Sequence, residues 1–230
     1  MVDERYARQT ILPEIGEDGQ ARLAAARVLV VGVGGLGSVT STYLVAAGVG
    51  TVGLADFDVV SRSNLQRQVL YAEQDAGKPK VACAAARLSA INGGVRIVTH
   101  DCFVSQENAE ALIAPYDIVV DGCDNYATRL ALSDACARLR RPYVYGAISA
   151  FSGQVAVLCG NGGKTLRDLF GGGMPSGDAA SKGVVGMTPG IVGSVQGMQV
   201  LQLVCSFGSP LVDRLWVADF LKMDSSTFDL

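Results

Sequence analysis

A single histidine, His100, stands in a chain of 230 residues. That scarcity leaves little room for a His-based metal site or a Ser-His-Asp triad. The six cysteines, Cys83, Cys102, Cys123, Cys136, Cys159 and Cys205, form no Cys-x-x-Cys pair, and no signal peptide precedes them. The pattern reads as a reducing, cytoplasmic compartment with buried thiols. Positive charge is not in excess either: 19 Lys and Arg stand against 22 Asp and Glu, for a net charge of −3. General nucleic-acid binding is therefore not expected, and any anion site has to be built locally. Charge vanishes altogether from Gly183 to Val212. A membrane span needs ~20 mainly apolar residues. Pro189, recurrent glycines and the Gln196, Gln199, Gln202 series interrupt this stretch, which predicts a buried core helix with Gly193 and Gly197 at a close helix contact.

What the chain has in abundance is apolar residues, 49%, and 28 glycines. Strand and helix patterns alternate from the start, the signature of βαβ units and a largely parallel sheet. Strands are expected at Val28–Val33, Thr51–Ala55, Val95–Thr99, Ile118–Asp121, Tyr143–Gly146 and Gln154–Leu158. Helices are expected at Leu36–Ala47, Lys80–Ile91, Glu107–Ile113, Tyr126–Leu139 and Ile191–Ser206. Two antiparallel strands, Leu215–Phe220 and Met223–Phe228, close the chain. The class is α/β: a doubly wound, Rossmann-like, mainly parallel sheet with antiparallel C-terminal strands. The regularity breaks only across residues 160–189, rich in Gly, Ser, Asp and Lys, which reads as a long functional or crossover loop.

Gly32, Gly34 and Gly37 form G-x-G-x-x-G between a strand and a helix, with Gly35 in the same turn and Asp56 at the end of the next strand. Glycines let a backbone approach phosphate, the helix N-terminus supplies N–H donors, and the carboxylate reaches ribose hydroxyls. Alone, this says only nucleotide. Asn64, Arg67 and Lys80 follow the carboxylate. Hydride transfer has little use for such cations, whereas phosphoryl chemistry needs them, because negative charge builds on an α-phosphate and a departing pyrophosphate. Asp124, in Asp121-Gly122-Cys123-Asp124-Asn125, lies at the strand end where ligands bind in open α/β sheets, and is a natural Mg²⁺ ligand for a nucleoside triphosphate. Asp121 and Asn125 are alternatives there or caps of the next helix.

Taken together, Arg5-Tyr6-Ala7-Arg8-Gln9, Leu12-Pro13-Glu14-Ile15-Gly16, the Gly32–Ser38 loop, Ala46–Gly50, Asp56-Phe57-Asp58, Ser63–Gln68, Gly77–Lys80 and Cys123-Asp124-Asn125 resemble the ThiF/MoeB/HesA family. These are adenylyltransferases related to ubiquitin-activating enzymes, and the resemblance runs from Arg5 to Met223. It implies one adenylation domain over 1–230 that uses ATP and Mg²⁺. The substrate implied is the C-terminal carboxylate of a ubiquitin-fold sulfur-carrier protein with a Gly-Gly tail. Arg8, Asn64, Arg67 and Lys80 would contact phosphates, Asp56 the ribose and Asp124 the metal. The family also implies a homodimer, with Arg8 reaching the neighbouring subunit's site.

The chain departs from that pattern coherently. Where many relatives carry a zinc-binding Cys-x-x-Cys, Thr165 and Asp168 stand, and no cysteine follows Cys205, so no zinc is expected. The crossover-loop cysteine is replaced near Gly177, and Cys123, beside Asp124, has an apolar setting that favours packing. Other readings are adenylation of a short peptide, tRNA-base dehydration, an NAD-dependent dehydrogenase, or a catalytically silent scaffold for a ubiquitin-fold partner.

Overall fold

The computed structural model describes residues 3–171 and 183–230. Its centre is an eight-stranded sheet. Five strands are parallel: β1 (Arg27–Val31), β2 (Thr51–Ala55), β3 (Arg96–His100), β4 (Ile118–Asp121) and β5 (Tyr143–Ser149). Three antiparallel strands extend it: β6 (Ser152–Leu158), β7 (Arg214–Asp219) and β8 (Asp224–Asp229). The order is β3-β2-β1-β4-β5-β6-β7-β8, so the winding reverses between β1 and β4, and the ends of those two strands diverge into a crevice.

β1 shows why both faces are covered. Successive strand side chains point to opposite faces, and every residue of Val28–Val31 is apolar. Val28 and Val30 enter one core and Leu29 and Val31 the other. On the first face pack α2 (Gly16–Ala25), α3 (Gly35–Ala47), α4 (Lys80–Ile91) and α8 (Met187–Cys205). On the second lie α5 (Ala109–Ile113), α6 (Tyr126–Leu139) and the short α7 (Leu166–Leu169).

The expected doubly wound sheet is present, with local differences. β1 ends at Val31 because Gly32 turns the chain at φ +85°. α8 begins at Met187, four residues early, since Pro189 falls in the first turn, where a missing N–H costs no helical bond. α2 went unread because only Gly19, Gln20 and Leu23 of its ten residues are buried. Part of the expected long loop is ordered as α7, while residues 172–182, Gly177 among them, lie outside the described residues.

The uncharged stretch forms a core helix, and among the described residues no helix is long and apolar enough to cross a membrane. Gln196, fully buried, donates to the carbonyls of Asp121 (2.8 Å) and Val144 (3.1 Å), tying α8 to the strand ends. Gly193 meets α3 closely, its carbonyl accepting from Thr40 Oγ1 at 2.9 Å, whereas a Cβ at Gly197 would meet open space. Only Gly193 therefore serves the close contact.

Candidate functional site

At the crevice the glycines do separate jobs. A Cβ on Gly32 would lie 2.5 Å from the Gly122 carbonyl oxygen, so the turns after β1 and β4 touch backbone to backbone. Gly37 is packed against the Gly32 carbonyl and does not face the crevice. Gly34 and Gly35 do face it, and no side chain caps α3, so its first-turn N–H groups open toward the space. Tyr71 stiffens this turn by donating its hydroxyl to the Val33 carbonyl at 2.7 Å.

A cavity of about 570 Å³ fills the crevice, the size of a small-molecule site. Asp56, Asp58, Arg67, Lys80 and Asp124 all line it, as expected for four of them from sequence. Asp56 is 9% exposed, and its carboxylate accepts from Val33 N (2.7 Å) and Asp58 N (2.9 Å). Burial raises its pKa against the pull of Lys80. A carboxylate kept dry at the end of β2 is suited to accepting hydroxyl donors.

Lys80 is the first residue of α4, where the helix dipole disfavours a cation. It is nevertheless buried at 5% exposure, its amine held 2.9 Å from Asp58. Paired in this way, the ammonium is held at the cavity wall, where it can meet an anion. Asp58 is a site residue that sequence reasoning passed over, although its place two residues after Asp56 carried the signal. Arg67 is half-buried, anchored through the Ser63 carbonyl at 3.1 Å. Asn64 is not in the lining: it stands one turn earlier, and its carbonyl accepts from the N–H groups of Arg67 and Gln68.

The loop after β4 resolves the roles left open. Asn125 caps α6, accepting from Thr128 N at 2.9 Å. Asp121 is fully buried and structural: it accepts from Cys123 N and from the Tyr143 hydroxyl (2.7 Å), and its carboxylate forms an ion pair with Arg129, Nε to Oδ2 at 3.1 Å. Of these three loop residues, Asp124 is the exposed one, and it lines the cavity. Among the described residues no group of three or more His, Cys, Asp and Glu stands ready to hold a metal. Mg²⁺ commonly takes one or two carboxylates and completes its shell with substrate phosphates and water, which is compatible with Asp124. The Cys123 thiol, partly buried at the edge of the cavity, is pushed well up by burial and by Asp121, which disfavours the thiolate.

Arg129 was also missed, in a helix whose sequence, Tyr126–Leu139, carries no motif that marks it. Burial opposes its charge, but Asp121 and the flanking Tyr145 and Tyr143 keep it fully ionised. Its Nη2 donates to the carbonyls of Cys123 (2.6 Å) and Gly146 (2.9 Å), fixing the Asp124 loop to β5.

Arg8 lies elsewhere. It is exposed on α1 (Ala7–Thr10), whose Gln9 donates to the Ala47 carbonyl at the C-terminal end of α3. The cavity is at the other end of that 13-residue helix, a length of about 20 Å. Arg8 cannot reach the cavity of its own chain.

Comparison with known proteins places the chain in a family. The model of the ThiF family matches residues 6–230. A sulfur carrier protein adenylyltransferase of Thermus thermophilus is 45% identical over 95% of this chain and 84% of its own length. The adenylyltransferase and sulfurtransferase MOCS3 of Mus musculus is 45% identical over 94% of this chain but 48% of its own length. The chain thus spans only about half the length of several curated relatives it matches. Among solved structures, the microcin C7 biosynthetic enzyme MccB in complex with N-formylated MccA superposes with a TM-score of 0.88 at 18% identity, covering 98% of this chain and 72% of that one. At that identity the likeness is one of fold. The match of the family model across nearly the whole chain, together with close relatives at this level of identity, shows that the chain belongs to the ThiF family.

Proposed function

We propose that this chain is an ATP-dependent adenylyltransferase. In this reading it activates the C-terminal carboxylate of a small ubiquitin-fold sulfur-carrier protein with a Gly-Gly tail. The observation that carries the reading is Lys80, buried at a helix N-terminus and facing the same cavity as Arg67, Asp124 and the open start of α3. The printed names of the relatives, a sulfur carrier protein adenylyltransferase and a SAMP-activating enzyme E1 of Haloferax volcanii, support the substrate class.

The carrier carboxylate, ionised at neutral pH, attacks the α-phosphorus of ATP in line. Its oxygen–phosphorus bond forms as the bond to pyrophosphate breaks, giving an acyl-adenylate without a general base. Asp56 holds the ribose, Gly34 and Gly35 admit the phosphates to the start of α3, and Arg67 and Lys80 neutralise the charge that develops. Asn64 sets the turn that presents Arg67. Mg²⁺ on Asp124 would supply Lewis-acid neutralisation of the triphosphate. The enzyme acts as a homodimer in the cytoplasm, with Arg8 completing the partner's site and residues 1–230 forming one adenylation domain. The six free cysteines support the compartment.

Calorimetric titration tests the nucleotide. ATP is expected to bind more tightly than NAD and to lose affinity when Mg²⁺ is chelated. Tighter NAD binding would overturn the assignment of ATP as the nucleotide.

A further inference from the structure

The turn from Gly163 to Phe170 occupies the place where the family pattern puts a zinc-binding cysteine pair, and its chemistry does not suit that ion. Among the described residues the one thiol bordering it, Cys159, is buried against Ser133 and pushed up to about 11 by burial. Zinc takes thiolate sulfur in such sites. The oxygens present are already engaged with the chain itself. Asp168 Oδ2 accepts from both the Thr165 N–H and its hydroxyl, each at 2.8 Å, closing a capping box on α7. Ser133 Oγ, on α6, accepts from Leu166 N at 2.9 Å, and Leu166 is fully buried beneath it. Asp213 Oδ1, just before β7, accepts from Lys164 N at 2.7 Å. Three elements are thus drawn together by hydrogen bonds.

The far end of the turn is in the cavity. Phe170 lines it and sets its ring edge-on against Tyr126 (5.8 Å) and Tyr145 (6.4 Å). Those two rings flank the Arg129 guanidinium at 5.8 and 5.5 Å, and Arg129 holds the Cys123 carbonyl next to Asp124. We infer that Gly163–Phe170 is a metal-free clasp in which Thr165 and Asp168 are positioning residues. They fix Phe170, and through the aromatic cage around Arg129 they set the Asp124 loop for nucleotide binding. The inference rests on reading the cavity as the ATP site.

The test compares wild type, Thr165→Val, Thr165→Ser, Asp168→Ala, Phe170→Ala and the Thr165→Val/Phe170→Ala pair. It measures ATP affinity with Mg²⁺ by calorimetry, together with Tm and bound zinc. Thr165→Val removes the hydroxyl at constant shape and should weaken ATP binding about fivefold, the scale of one lost cap. Thr165→Ser should restore it, and exposed Asp168→Ala, a second probe that leaves the core intact, should match the Val variant. The double variant should be no weaker than Phe170→Ala, because both changes act through one ring. Wild type should hold no stoichiometric zinc and keep its Tm in chelator. One zinc per chain, additive losses in the pair, or a lowered Tm with unchanged ATP affinity would overturn the clasp. A wild type that binds no ATP would instead reject the reading of the cavity, and the positioning role with it.

Discussion

Lys80→Ala should slow ATP–pyrophosphate exchange about a hundredfold, some 3 kcal/mol of transition-state stabilisation, while ATP affinity changes only a few-fold. The reasoning is differential: a triphosphate already carries its charge in the ground state, but the departing pyrophosphate gains more as the bond breaks. Arg67→Ala should behave the same way. The fold should survive both changes. Removing Lys80 leaves an Asp58 that is half-exposed, so water solvates the carboxylate left behind. Steady-state exchange alongside calorimetry separates the effects. Equal losses in affinity and rate would make these cations ground-state binders and remove them from the chemistry.

Arg8→Ala should be nearly as slow as Lys80→Ala, although the residue lies a helix length from its own cavity. Mixing the Arg8→Ala and Arg67→Ala proteins should recover activity after subunit exchange. In a symmetric dimer each mixed pair holds one intact site, so an equal mixture should reach about a quarter of the wild-type rate. No recovery despite confirmed exchange of subunits, or normal turnover by Arg8→Ala alone, would remove the role across the interface.

What the sequence made legible, and what it hid, divides along physical lines. The βαβ core was readable because strands buried on both faces leave unbroken apolar runs, as at Val28–Val31 and Ile118–Val120. Glycine and charge at strand ends pointed to Asp56, Arg67, Lys80 and Asp124, all of which line one cavity. Arg129 escaped notice because its importance comes from burial and from two carbonyls distant in sequence, Cys123 and Gly146, which meet only in the folded chain. Phe170 was hidden by its neighbourhood: a Gly-rich stretch reads as loop, and the four-residue helix that aims its ring is held by tertiary bonds to Ser133 and Asp213, more than by propensity. Asn64 stands outside the lining, and its carbonyl accepts from the N–H groups of Arg67 and Gln68 in the turn that carries Arg67.

The central claim is tested most directly by ATP–pyrophosphate exchange with purified ubiquitin-fold carriers. Exchange should require Mg²⁺ and a carrier, and should vanish when the carrier's terminal glycine is deleted, since the attacking carboxylate is then misplaced. Mg·ATP binding with no exchange above background for any intact sulfur carrier, or exchange at full rate with the truncated one, would contradict it.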